Sequence, residues 1–330
     1  LIGDPTKPGN KFDDQQHRLD LTISNRVNYN LTTEAHTLNV LGLYEYNMNE
    51  FNRAFVRSIG FPSALLTTQA NAAELTDGFT NRSRLTLVSY GVFADYDYKQ
   101  RYLLQASVRR DGSSNFGSDV QYGTFYSASV GWNLAKENFF QVDFIDDLKL
   151  RGSYGSVGNR LGLTNYASQG TVGFGSYPGG SSTIPDNVAN PDLSWETTTT
   201  TNIGLELNMF NDRVRLVSDY FIRNTTDLLF AIPTADEAGV GSINGNVGDI
   251  RNKGLEISLQ GDLFRGNDFK WTLGGNILFL DHEIVKLPDG EPIDPTANTF
   301  FIRWEEGRKI NEHFLIRYAG VDPATGRAQF

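Results

Sequence analysis

The feature that most constrains this chain is a long run of two-residue periodicity between Trp195 and Ile222. Trp195, Thr197, Thr199, Thr201, Ile203, Leu205, Leu207 and Met209 hold one parity and grow more apolar along it, while Glu196, Thr198, Thr200, Asn202, Gly204, Glu206 and Asn208 keep the other polar. A period of two is a strand. The chain reverses at Asn211, Asp212 and Arg213 and returns through Val214, Leu216, Tyr220 and Ile222, alternating with Arg215, Asp219 and Arg223. An ordinary strand runs about 5 to 6 residues. At about 3.3 Å per residue, the outgoing arm alone would reach about 45 to 50 Å. A soluble sandwich rarely needs that span, whereas a bilayer does. In lipid an open sheet edge cannot be satisfied, so strands of this kind belong to closed antiparallel barrels.

Composition supports that reading by exclusion. With 39% hydrophobic residues in 330 and a mean hydropathy of -0.36, no window reaches the apolar run of a membrane helix. Any crossing is therefore made by strands. The 33 glycines, 14 tyrosines and 22 phenylalanines suit many turns and aromatic belts. Absence of cysteine removes thiol catalysis, disulfides and zinc-thiolate sites. A formal charge of -10 weighs against nucleic acid, whose phosphates need a surplus of Lys and Arg. The chain opens at Leu1 without an apolar leader, so a membrane reading requires it to be an internal piece of a longer protein.

The same alternation recurs along the chain. It predicts strands around Leu19–Leu31, Leu38–Tyr46, Val88–Tyr98, Tyr102–Val108, Tyr122–Leu134, Leu148–Tyr154, Leu255–Leu263 and Phe269–Phe279, with one or two more between Phe300 and Tyr318. That is about ten to twelve strands. Asn47–Ser83 reads as a long polar segment, and loops are expected at 156–194 and 229–248. Connections at 32–35, 99–101, 211–213 and 265–268 are tight, the alternate ones are long, and 135–147 is intermediate. Outer-membrane barrels have that asymmetry, with short turns on the periplasmic side and long loops outside. Tyr96, Tyr98 and Tyr102 crowd one tight turn, as an aromatic girdle would. A propeller would repeat a blade motif, and none is present.

Five segments are more specific than periodicity. They are Arg110-Asp111-Gly112-Ser113-Ser114-Asn115-Phe116-Gly117, Leu148–Gly155 with Gly158-Asn159, Asn190-Pro191-Asp192-Leu193-Ser194-Trp195-Glu196, Asn246–Glu256, and Gly320-Val321-Asp322-Pro323 with Thr325-Gly326. In this order they resemble the barrel of the SusC/RagA-type TonB-dependent outer-membrane transporters. Asn115 stands where that family usually has Arg, Tyr126 where it often has Pro, and Glu306–Ile310 departs from the usual Glu-Gly-Gln-Pro-Ile. The resemblance implies a partial transmembrane β-barrel domain over 1–330. The plug domain, the TonB-contacting segment and the terminal strands of a 22-stranded whole would lie outside these residues. It further implies location in the outer membrane of a Gram-negative bacterium, import of glycan oligosaccharides or peptides, a SusD-like surface lipoprotein as lid, and energy from the TonB-ExbB-ExbD complex.

Within that reading, Tyr166, Phe174, Tyr177 and Phe230 in the long loops are candidates to stack on sugar faces or peptide side chains, against the plainer alternative that they pack their own loops. Glu196, Asn202, Glu206, Asp219, Arg223, Glu256, Ser258 and Gln260 are expected to face the interior. An enzyme is not expected. His17, His36, His282 and His313, read as strand-end or loop residues, stand in no nucleophile-base motif, and the serines of 110–117 lack a strand-turn-helix setting. No cofactor is implied. Calcium would suit Asp95 with Asp97, or Asp281, Asp289, Glu291 and Asp294, although solvated carboxylates are the default. Two other function classes remain open on the residues alone: a passive porin or structural outer-membrane barrel without energy coupling, and a soluble all-β binding domain.

Overall fold

The computed structural model describes residues 9–63, 65–66, 68–177, 180–234, 239–294 and 301–330. Ten strands form one antiparallel sheet: β1 (Asn10–Thr32), β2 (His36–Ile59), β3 (Glu74–Tyr98), β4 (Tyr102–Ser113), β5 (Tyr122–Asn133), β6 (Ile145–Asn159), β9 (Glu196–Met209), β10 (Val214–Thr226), β13 (Asp249–Arg265) and β14 (Lys270–Lys286), neighbours in that order. Each long loop that interrupts the numbering carries a small hairpin: β7 (Thr171–Tyr177) with β8 (Gly180–Asn187), and β11 (Leu229–Pro233) with β12 (Ser242–Asn246). The barrel is not closed by these strands. β1 and β14 each have one unpaired edge, as expected of part of a larger wall.

Tight connections and long ones lie at opposite ends of the sheet. Lys99 and Gln100 both have positive φ, 51° and 55°, which is what a type I′ hairpin turn requires. Phe210, Asn211 and Asp212 turn the chain between β9 and β10 with φ of 58° to 60°. At this end the aromatics gather. His36 Nδ1 lies 2.8 Å from the Tyr96 hydroxyl, Tyr98 stacks on Tyr102, and the Tyr102 hydroxyl and Trp132 Nε1 both donate to Glu137 Oε1. A second aromatic level follows farther up the apolar face, where Tyr44 meets Tyr90 at 5.4 Å and Tyr126 meets Tyr154 at 6.2 Å. Two aromatic levels bounding an apolar band are the outer surface of a transmembrane barrel.

Packing tells the two faces apart. Val92, Val108, Val130, Ile203 and Leu259 of the apolar parity are more than half exposed. Phe125 of β5 and Leu87 of β3, of the opposite parity, are covered by Phe116, Ala167, Leu193 and Trp195 from the loops. Loops thus fold over the polar parity, making it the inside. The residues expected inside obey the register: Asp219 opposes Glu256 and Gly204, and Glu206 opposes Lys149.

Two expectations are corrected. Asn47–Ser83 is not a loop throughout, because β2 and β3 stay paired from Thr37–Asp97 up to Ile59–Glu74, and only 60–73 connects them. Beyond Met48 and Val88 the outward positions turn polar (Glu50, Asn52, Arg84, Arg82), while Phe51, Phe55 and Phe79 take inward positions. The apolar parity changes sides where the wall leaves the lipid, so the sequence signal fades while the backbone ladder continues. Among residues 301–318 there is no ladder strand, only the isolated bridges Ile293–Trp304 and Ile302–His313. That segment folds back onto β14 instead, with the amides of Ile284 and Gly307 donating to Arg308 and Ile284 carbonyls at 2.8 Å.

Candidate functional site

The inner face and the loops tied across its upper end form the candidate site. On the wall, the Arg151 guanidinium crosses β9 to donate to Asp219 Oδ2 at 2.7 Å and lies 3.3 Å from Glu206. Lys149 lies 3.9 Å from Glu206. The crossing depends on Gly204, since a Cβ there would sit 2.5 Å from Arg151 Nε and 2.6 Å from Asp219 Oδ1. Next to this network is a polar concavity of about 430 Å³, with Asn39, Asp95, Gln105, Ser129, Ser153 and Asn202 in its lining. Such a surface is wetted and charged, and suits passage of a polar solute.

The mouth is built from the very segments that carried the family resemblance. Trp195 packs on Phe116 at 4.9 Å and edge-on to Phe125 at 5.6 Å, and its Nε1 donates to the Gln121 carbonyl at 2.9 Å. Gly117 approaches so near to Pro191 that a Cβ would lie 1.6 Å from the Pro191 carbonyl oxygen, and its amide donates to Leu193. Asn190 Nδ2 donates to the Asn244 carbonyl, and Asn246 exchanges bonds with Ser194 through both its side-chain oxygen and its nitrogen. Glu196 accepts from Asn159 Nδ2 and from the Leu229 amide. The loops after β4, β6 and β10 are therefore one bonded assembly. Asn115 is 1% exposed and accepts from the Ser113 hydroxyl, but its Nδ2 has no partner. A buried donor left unpaired costs about 1 to 3 kcal/mol.

The four aromatic candidates are not brought together. Tyr166 accepts from the Arg84 amide at 3.1 Å, capping the edge of β3 where β4 has ended. Phe174 stands on β7, 81% exposed. The Tyr177 side chain lies outside the described residues. Phe230 packs edge-on against Trp304 at 5.8 Å, and both line an apolar pocket of about 190 Å³ with Leu229, Ile284, Leu287 and Ile310.

Two aromatic groups escaped the sequence reading. Trp304 sits in a stretch read as strand, and its role follows only from the fold-back over β14. The second is a ladder of Phe12, Phe55 and Phe79 on the inward side of the wall above the lipid, with ring centroids 6.4 and 5.4 Å apart and the Arg53 guanidinium over Phe79. The spacing of Phe51, Arg53 and Phe55 was its only available signal.

Of the histidines, His17 and His282 lie within strands instead of at strand ends or in loops, because β1 and β14 are longer than the apolar alternation. Three of the acidic groups weighed for calcium have other partners. Asp281 lies 3.2 Å from Lys253 and 3.4 Å from Lys309, Asp294 is bridged by Arg303, and Asp97 accepts from the Gln100 amide. The Arg303 guanidinium holds the Asp294 carboxyl below its ordinary value. Among the described residues no group of three or more His, Asp or Glu converges as a metal site would.

Comparison with known proteins places this geometry. The family model described as TonB dependent receptor-like, beta-barrel matches residues 2–307. TonB-dependent receptor P39 of Formosa agariphila is 31% identical over 307 residues, 92% of this chain and 29% of that protein. TonB-dependent receptor SusC of Bacteroides thetaiotaomicron is 35% identical over 240 residues, 69% of this chain and 24% of SusC. The chain thus spans less than a third of these relatives. The solved structure of the RagAB peptide transporter superposes with a TM-score of 0.85 at 27% identity, covering 97% of this chain and 36% of that one. With its motifs tying the mouth and its wall superposing on RagAB, the chain belongs to the TonB-dependent receptor β-barrel family.

Proposed function

We propose that the chain forms part of the wall and mouth of an outer-membrane importer that takes up an oligosaccharide or a peptide, with energy supplied through TonB and a SusD-like surface lipoprotein closing over the mouth. The observation that carries this reading is the two-sidedness of the wall. A bare apolar surface faces outward, and a charged, hydrogen-bonding surface lies beneath loops tied into one frame. The family is one of receptors and transporters, not of enzymes. Tyr166, Phe174, Tyr177 and Phe230 remain the loop aromatics proposed to meet substrate, joined by Trp304 and the inward phenylalanine ladder. Aromatic faces serve sugars and peptide side chains alike.

Uptake of labelled oligosaccharides and peptides by intact cells tests the proposal. Uptake by the wild type should stop when the gene is deleted, when TonB is removed or when the inner-membrane proton gradient is collapsed. Uptake that persists without TonB would make the protein a passive porin.

A further inference from the structure

The outward face above the apolar band carries a second site, separate from the inner face. On β3 the outward positions run Tyr90, Val88, Thr86, Arg84, Arg82, and on β2 they run Tyr44, Tyr46, Met48, Glu50, Asn52. Arg84 lies about 13 Å along the strand beyond Val88 at about 3.3 Å per residue. A tilt of about 40° brings that to about 10 Å of height. Counted from Tyr98 at the lower aromatic level, the strand to Arg84 rises about 35 Å on the same terms. The hydrocarbon core is about 30 Å of a bilayer about 40 to 45 Å thick, so Arg84 stands about 5 Å beyond the core, at headgroup level.

Glu50 holds the two arginines side by side. Arg84 donates to its Oε2 through Nε at 3.0 Å and Nη2 at 2.6 Å, and Arg82 donates to Oε1 at 3.1 Å. Glu50 is 12% exposed, whereas Arg82 and Arg84 are 65% and 51% exposed. A guanidinium carries five N–H donors, so most donors of the pair are unspent. Two cations share one anion, leaving a net positive charge.

Directly above, sharing Arg82 with that bridge, lies a concavity of about 490 Å³ on the same outward parity, with Gln15, His17, Asn52, Thr80 and Arg82 in its lining and no carboxylate among its residues. Two acids of β1 near Gln15 are engaged elsewhere: Asp14 accepts two bonds from Arg53 on the inner face, and Asp13 is paired with Lys11.

We propose that Arg82, Arg84 and this concavity bind the phosphate and adjoining sugar of a phosphorylated glycolipid headgroup in the outer leaflet. Paired guanidinium groups recognise phosphate oxygens through charge-assisted bonds, and neutral hydrogen-bonding groups without a carboxylate suit the sugar hydroxyls. A headgroup at this height keeps its acyl chains against Val88, Tyr90 and Tyr44. The site rests on the barrel being lipid-embedded and is indifferent to what passes through it.

The test is native mass spectrometry of the full-length protein in neutral detergent, titrated with bisphosphorylated lipid A, dephosphorylated lipid A and zwitterionic phosphatidylcholine. The wild type should retain one bisphosphorylated lipid at least about 10-fold more tightly than its dephosphorylated form. The Arg82→Gln/Arg84→Gln variant should lose that preference, and Arg223→Gln on the inner face should keep it. Inorganic phosphate in excess should compete if the phosphate is what is read. Equal retention of both lipid A forms, or an unchanged preference in the double variant, overturns the site. Retention of no lipid of any kind overturns the site alone, whereas recovery of the full-length protein outside the outer-membrane fraction of cells overturns the lipid-embedded reading as well, which separates the two failures.

Discussion

Replacing Trp195 tests whether the mouth is a single bonded frame. Its ring lies between Phe116 and Phe125, and its Nε1 holds the Gln121 carbonyl. Trp→Ala at a packed site costs about 3 to 5 kcal/mol. Because the ten-stranded ladder below does not depend on this ring, the loss should appear as local opening of the loops, not as unfolding. At about 1.4 kcal/mol per tenfold, Trp195→Ala should raise the opening equilibrium roughly 100- to 4,000-fold. Trp195→Phe retains most of the ring contact and drops one hydrogen bond, about 1 to 2 kcal/mol, so roughly 5- to 30-fold. Amide hydrogen exchange of the detergent-solubilised protein reads this directly. Gly117 and Leu193, whose amides donate to Leu193 and Asn190, are the reporters, with β9 and β10 amides as the unchanged control. If those two amides exchange at the wild-type rate in Trp195→Ala, the ring cluster does not hold the mouth and the frame argument fails.

Gly117→Ala should be worse than Trp195→Ala for assembly, since its methyl would overlap the Pro191 carbonyl. Heat-modifiable mobility on gels should show reduced folded barrel. Gly204→Ala should part Arg151 from Asp219. A double-mutant cycle with Arg151→Gln and Asp219→Asn should give a coupling of about 0.5 to 1 kcal/mol in the parent, given the partial exposure of both groups, and near zero in the alanine background. The chain has no cysteine, so single cysteines map the faces cleanly. Tyr220→Cys should react with lipid-soluble maleimide and Asp219→Cys with a water-soluble one, and identical labelling would contradict the assignment of faces. Glu137, in the connection between β5 and β6, has its carboxyl held below the ordinary value of 4.5 by bonds from Tyr102 and Trp132 and by Arg101. A depressed carboxylate stabilises above its ordinary value and loses that contribution as pH falls through the lowered one. Trp132 fluorescence should therefore stay constant from pH 7 to 5 and change only in stronger acid.

The strands in lipid were legible because lipid imposes one rule on every second residue. Leu205, Leu207 and Met209 alternate with Gly204, Glu206 and Asn208, and the length of that alternation is what separates it from the same pattern in a half-buried soluble sheet. Above the lipid that rule lapses. β2 and β3 continue through Glu50–Ile59 and Glu74–Arg84 with charged groups outward and Phe51, Phe55 and Phe79 inward, a reversal of parity that breaks the pattern, and backbone pairing leaves no trace in composition. The Arg151–Asp219 contact was hidden for a different reason: it joins two strands across a third, and the residue that permits it, Gly204, reads as one more polar-parity position. The segments that resemble the family were visible as words but not as parts. Only the fold shows that Asn190, Asn246 and Trp195 are fasteners of one assembly, and that the Tyr166 hydroxyl also caps the edge of β3 at the Arg84 amide.

The fasteners at the mouth are side-chain amides gripping main-chain atoms: Asn190 on the Asn244 carbonyl, Asn246 on both sides of Ser194. Bonds of this type are blind to the identity of the side chains they tie down. The hairpins that project past them, 171–187 and 229–246, can therefore be rewritten residue by residue with the fasteners kept and the frame still shut. One scaffold can present many different tips to whatever arrives from outside.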